Sequence, residues 1–321
     1  MLDERLIDSS KGRREVDKRS TPVSEKGSAL RRRLTGLAMA TVILIICFFR
    51  PLYDLARYSF TSELYSYIPA IPFISLYLIW SRRRSLFLDA EPAWQCAVLP
   101  LFGGLGIVAG YAWAVHSGWE FGTGDYLALM TLAFLLFLSS AYFLFVGKGN
   151  LRRIAFPAAL LIFTIPFPAF LEDSIQCFLQ YSSAEATSLL FRLSGTPVFR
   201  QDLVFELPGF ALRVAPECSG IHSTLALFIS SLVAGSFFLR TRWKQALLTC
   251  SVIPLAILRN GLRIFIIGQL CVHVSPEMIN SDIHRRGGPI FFVLSLVPFF
   301  LLLLLLRNSE SKSQESSRRE R

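Results

Sequence analysis

A cysteine follows a carboxylate in Pro216-Glu217-Cys218-Ser219-Gly220 and stands just before a long apolar run, residues 221–239. Cys218 would therefore occupy the first turn of a helix. Unsatisfied backbone N–H groups and the helix dipole favour an anion there. A thiolate, the reactive form of cysteine, gains from such surroundings. Glu217 beside it acts in the opposite sense. The plain alternative is a small apolar residue at a helix start, but the polar flanks set Cys218 apart. Cys47, Cys96, Cys250 and Cys271 lie in apolar runs and read as small buried hydrophobes. A Cys177–Cys218 disulfide stays open, because sequence does not give the geometry. No Cys-x-x-Cys occurs, so neither a zinc knuckle nor a redox pair is indicated.

A second polar group interrupts another apolar stretch at Arg259-Asn260-Gly261-Leu262-Arg263. Each arginine inside a membrane helix costs about 2.5–3.5 kcal/mol on insertion scales. Arg263 is followed by Ile264-Phe265-Ile266-Ile267 and has little water to reach unless it lines a cavity, which favours a functional role. Arg259 is the weaker candidate, since snorkelling or a carbonyl partner would satisfy it. Asn260 and Arg263 are three residues apart and share a helix face.

Of the four histidines, two stand near these groups. His222 is four residues after Cys218 and shares its helix face. His284 sits in Asp282-Ile283-His284-Arg285-Arg286-Gly287-Gly288-Pro289, where two glycines allow close approach of a backbone or substrate. Either can exchange protons near neutral pH, and the choice between them as base stays open. His116 and His273 read as bystanders at the ends of runs. Cysteine, histidine and arginine on one membrane face supply a nucleophile, a base and a charge stabiliser, the set that acyl transfer needs. A metal site is not indicated, because there is no His-Glu-x-x-His and no paired acidic ligand in the apolar runs.

The elements that must carry these groups are membrane helices. The chain of 321 residues is 53% hydrophobic and 17% charged, with mean hydropathy +0.48. Eight apolar runs fall at about 34–49, 64–80, 94–115, 126–146, 154–171, 221–239, 245–272 and 289–306. Most approach the ~17–25 residues that span a hydrocarbon core. They are continuous rather than alternating, which selects helices over a barrel. The expected fold is an all-α polytopic membrane protein of about eight helices. Placing both termini in the cytoplasm puts 24 of the 33 Lys/Arg on that side, as the positive-inside rule requires. The net charge of +10 is then topological, and nucleic acid is not an expected partner. Residues 1–33 and 307–321 read as cytoplasmic tails around a membrane domain at 34–306. Pro69 and Pro72 are expected to kink the second run, and Pro254 to interrupt the seventh. Residues 175–193 suggest a helix along the membrane surface. Two strand-like runs around Pro208-Gly209 predict an extracytoplasmic β-hairpin that delivers Cys218 to the sixth helix.

On three ordered motifs the chain resembles the exosortase/archaeosortase family of membrane transpeptidases. They are Pro216-Glu217-Cys218-Ser219-Gly220, Asn260-Gly261-Leu262-Arg263-Ile264 and His284-Arg285-Arg286-Gly287-Gly288. The proline-rich fifth run and Leu64-Tyr65-Ser66-Tyr67-Ile68-Pro69 extend the likeness over roughly 34–306. The resemblance implies Cys218 as nucleophile, Arg263 as the motif arginine and His284 as the third member, with Glu217, Ser219, Gly220, His222 and Asn260 in support. It implies no cofactor. It also implies substrates that are exported proteins ending in a short motif such as Pro-Glu-Pro, a transmembrane helix and a basic tail (the PEP-CTERM pattern). Cleavage would occur on the outer face of the cytoplasmic membrane, with transfer to a surface acceptor, in organisms that make extracellular polysaccharide. Arg259 lies outside the family pattern. The competing reading is a non-catalytic membrane component of polysaccharide export, in which Arg263 pairs with a buried carboxylate and Cys218 is packing.

Overall fold

The computed structural model describes residues 31–82, 93–275, 277 and 288–319, with the backbone alone at 217, 218 and 313–319. The chain forms two compact units, Met1–Ala169 and Phe170–Arg321. The proposed tail 1–30 lies outside the described residues.

The first unit is helical. Helix α1 (Arg31–Cys47) meets α2 (Phe49–Thr61) at a bend of 73°. Pro51 accounts for the bend: it lacks the N–H that would bond the Cys47 carbonyl, and its ring crowds that oxygen. Helix α3 (Ala70–Ser81) begins directly after Pro69. The expected kink at Pro69 and Pro72 is therefore absent. Both prolines fall at the helix start, where a missing N–H breaks no helical bond. Helices α4 (Trp94–His116) and α5 (Thr123–Phe145) pair side by side. Their contact includes Gly104 under the Phe137 ring and a hydrogen bond from Ser140 Oγ to the Ala97 carbonyl at 2.9 Å. Most of α4 faces outward with apolar side chains such as Leu99, Phe102 and Trp113, which suits lipid and not water. Helix α6 (Leu151–Leu160) ends in a short 3₁₀ turn, Leu161–Thr164. Ser75 Oγ on α3 donates to the Pro157 carbonyl at 2.8 Å and ties the two helices.

The second unit holds the polar motifs. Helix α7 (Ala169–Leu193) leads to strands β1 (Phe199–Gln201), β2 (Val204–Leu207) and β3 (Phe210–Arg213). They form one antiparallel sheet in the order β1-β2-β3. The Pro208-Gly209 hairpin is as expected: Leu207 pairs with Phe210, and Gly209 takes φ +88°, the value a type II turn needs after proline. Strand β1 is an addition to the sequence reading. Its three residues are too short to show alternation.

Alternation along β2 and β3 buries Phe205, Leu207, Leu212 and Val214. These pack with Ala184 and Phe191 of α7 and with Ile264 into one apolar core. Arg200 pairs with Glu185 at 2.9 Å and fastens the sheet to α7. Beyond the sheet come a 3₁₀ turn, Pro216–Ser219, then α8 (Ile221–Phe238), α9 (Arg242–Cys250), α10 (Val252–His273) and α11 (Gly288–Arg319). The α9–α10 break at Ser251 follows from Pro254, which cannot bond the Cys250 carbonyl. At the far end of α8, Glu310 of α11 accepts from the Arg240 and Thr241 amides at 3.0 and 2.9 Å. This carboxylate satisfies amides at the start of α9 that have no helical acceptor.

Among the described residues five helices are long and apolar enough to cross a membrane, with α9 and α10 taken together as one, or seven if each of two bent pairs is one span; α3 is a shorter apolar helix. The protein is a polytopic helical membrane protein. Cys47, Cys96, Cys177, Cys250 and Cys271 are free. Only Cys271 of them is buried. The expectation of burial fails for Cys47, Cys96 and Cys250, because an outward cysteine is equally at home against lipid.

Close helix approach carries a prediction. A Cβ on Gly261 would stand 2.8 Å from Ala186 Cβ and 3.3 Å from the Ser183 carbonyl oxygen and the Thr187 nitrogen. Backbone lines two of these three contacts, so the neighbours cannot rotate away. Gly261→Val is expected to destabilise the detergent-solubilised protein by about 1–3 kcal/mol, the ordinary cost of overpacking. A thermal unfolding curve checks it; a midpoint equal to that of the parent overturns the tight α7–α10 contact.

Candidate active site

The Pro216–Gly220 turn is held at both ends. On its upstream side, Gln180 Nε2 of α7, itself buried, donates to the Val214 carbonyl at 2.5 Å, while the Val214 amide donates to the Leu203 carbonyl at 2.9 Å. Ala215 is extended and Pro216 opens the 3₁₀ turn. Gly220 closes it at φ +72°. That left-handed conformation ends one helix and lets α8 start in a new direction. Cys218 therefore sits on a separate 3₁₀ turn ahead of α8. The sequence expectation that it occupies the first turn of that helix, on one face with His222, fails because the left-handed Gly220 breaks the helix between them. Ser219 is buried.

On the downstream side everything converges on the Gly220 carbonyl. It accepts from the Thr224 amide (3.0 Å), Thr224 Oγ1 (2.8 Å), Ser223 Oγ (3.1 Å) and Arg259 Nη2 (3.3 Å). Arg259 Nη2 also lies 3.4 Å from Thr224 Oγ1. The guanidinium is packed so closely that a Cβ on Gly220 would meet Nη2 at 3.0 Å and the Asn260 Cγ and Oδ1 atoms at 3.3 Å. Arg259 is only 6% exposed, and its Nη1 is buried with no hydrogen-bond partner among the described residues.

Asn260 anchors the next layer. Its Nδ2 donates to Ser183 Oγ on α7 at 3.0 Å, and both residues are buried. Thr187, one turn further along α7, donates from Oγ1 to the Ser183 carbonyl at 2.8 Å and lies 3.2 Å from the Gly261 carbonyl. Hydroxyls at 183 and 187 thus satisfy the polar stripe of α10 without charge. An unmade partner in such a place costs about 1–3 kcal/mol.

Arg259, the weaker candidate by sequence, contacts the Pro216–Gly220 turn through the Gly220 carbonyl. Arg263 is half-buried, four residues on and on the same side of α10. His222 is exposed on the first turn of α8. His116 and His273 are exposed at the ends of α4 and α10, as expected. His284 lies outside the described residues. Sequence reasoning missed Gln180, Ser183, Thr187 and Thr224. The signal for the first three was present as polar residues at helical spacing on α7. No cluster of three or more His, Cys, Asp or Glu side chains able to hold a metal occurs among the described residues.

A polytopic helical bundle with a cysteine-bearing turn clamped by buried arginine and asparagine defines the class of protein. A family model described as transmembrane exosortase matches residues 58–301. The chain belongs to the transmembrane exosortase family. No curated protein and no solved structure matches it.

Proposed function

We propose that this protein is a cysteine-type transpeptidase of the cytoplasmic membrane, with its site on the outer face and both termini inside. Its substrates are exported proteins that end in a Pro-Glu-Pro-like motif, an apolar helix and a basic tail. Cys218 attacks the scissile carbonyl. The sulfur–carbon bond forms as the carbon–nitrogen bond breaks, and the departing amine takes a proton from His284. Arg263 stabilises the oxyanion. A second nucleophile, amine or water, then releases the thioester. Such a two-step path replaces one hard step with two easier ones.

The observation that supports this reading most is the joining of two distant stretches at Gly220. The Pro216–Gly220 turn that leads into α8 and Arg259 of α10 meet through a hydrogen bond of 3.3 Å, and Asn260 packs beside them. A packing cysteine at a helix start has no use for that machinery. The non-catalytic alternative asks for a buried carboxylate against Arg263, and the eight apolar runs hold no acidic residue to supply one.

The intermediate provides the test. Membranes holding the protein are incubated with a secreted reporter ending in Pro-Glu-Pro, an apolar helix and an arginine-rich tail. A conjugate of reporter and enzyme is expected that survives denaturation and is released by neutral hydroxylamine, as thioesters are. Cleavage of the reporter with no such conjugate, under conditions that slow the second step, rejects the covalent path.

A further inference from the structure

We infer that Arg259 is the positioning residue of the nucleophile turn and that its positive charge holds Cys218 as a thiolate. The inference rests on the reading of Cys218 as nucleophile. Four observations carry it. The guanidinium is buried within the α8–α10 contact. One of its nitrogens binds the carbonyl of Gly220, two residues from Cys218. Its other terminal nitrogen is buried and unpartnered among the described residues. No described carboxylate pairs with it, although a buried cation requires a counter-charge or a dense set of acceptors. A negative charge formed on the turn would meet this cation.

The charged and titratable groups around Cys218 come from several elements. Glu217 is its neighbour on the turn, and His222 is the second residue of α8. Arg259 and Arg263 stand on α10. On α7 the residues toward α10 and the turn, Gln180, Ser183 and Thr187, are neutral, and Glu185 is paired with Arg200. Arg213 of β3 is exposed. The segment 278–287, outside the described residues, contributes Asp282, His284, Arg285 and Arg286 to the sequence. Arg259 is the buried cation joined by hydrogen bond to the cysteine-bearing loop. Glu217 is the rival for its charge.

The test reads the thiol directly. The full-length protein, in detergent or liposomes, is treated with iodoacetamide across a pH series, and peptide mass spectrometry follows Cys218 alone. Arg259→Gln removes the charge while its amide can still donate to the Gly220 carbonyl. It is expected to raise the alkylation midpoint by about one pH unit or more, the effect of losing an opposite charge at close range. The rate below the midpoint then falls about tenfold. Arg259→Lys restores a cation and is expected to bring the midpoint back toward that of the parent. A midpoint unchanged in Arg259→Gln overturns the inference and assigns the charge to Glu217. So does an Arg259→Lys profile identical to that of Arg259→Gln. Should Arg259→Gln not accumulate, Arg259→Met removes the same charge and must give the same upward shift; an unchanged profile there also overturns it. Reporter processing is followed separately. A Cys218→Ala chain that still processes the reporter ends the cysteine reading, whatever the alkylation profile shows.

Discussion

Replacing Cys218 by alanine is expected to reduce processing of a tagged sorting-signal reporter by at least about a thousandfold, while the protein accumulates in the membrane at the parental level. Loss of a nucleophile from a concerted site is of that order or larger. No other cysteine takes over. Cys271 is buried on α10, twelve residues beyond Arg259 and so about 18 Å along the helix. Cys47 and Cys96 belong to the first unit. Cys177 is exposed on α7 one turn before Gln180, which makes Cys177→Ala the proper control; it is expected to process normally. The ratio of mature to precursor reporter on an immunoblot decides the matter. Full processing by Cys218→Ala would sink the cysteine mechanism and leave the family membership untouched.

Gly220→Ala is expected to have the next largest effect, a loss of about ten- to a hundredfold in processing. Two costs coincide at this one position. A side chain at φ +72° is strained by about 1–2 kcal/mol. The added Cβ also meets Arg259 Nη2 at 3.0 Å and Asn260 at 3.3 Å. Asn260 cannot yield freely, because Ser183 holds it from the other side. Relief must come from the guanidinium or from the turn, and either movement disturbs the Cys218 backbone. Gly209→Ala separates the two costs. Its φ is +88°, but the space around it is open. It is expected to lower stability by a similar amount and to keep most of the activity. Reporter processing and thermal unfolding measured on both variants provide the comparison. Equal losses of activity would show that backbone strain alone is responsible and that the approach of α10 is irrelevant.

Much of the frame is legible in the apolar runs. Residues 94–115, 126–146 and 221–239 correspond closely to α4, α5 and α8. A hydrocarbon core demands a helix of nearly fixed length, so composition alone is a strong signal there. The Pro208-Gly209 turn is equally plain, because few sequences satisfy a type II turn. Strand β1 is not legible. It is three residues long and is made by its pairing with β2, Phe199 with Glu206 and Gln201 with Val204. The prolines of the second run were also ambiguous, since proline at a helix start and proline within a helix look alike in one dimension. The structure resolves it by starting α3 at Ala70.

The site divides along the same line. That a cysteine stands just ahead of α8, and that two arginines and an asparagine interrupt α10, follows from the order of residues. Apolar surroundings make those polar groups conspicuous wherever the chain folds. How deeply each arginine is buried is a different kind of fact. Arg259 and Arg263 are chemically identical and one helical turn apart, so no local property separates them. Arg259 is buried and Arg263 half-buried because of how α10 is rotated and seated. Those are set by contacts far away in sequence: Gly261 against Ala186, Gly268 against Phe191, Asn260 against Ser183. The residue types determine that cations interrupt α10, and only its packing against α7 and α8 buries Arg259 against the Gly220 carbonyl.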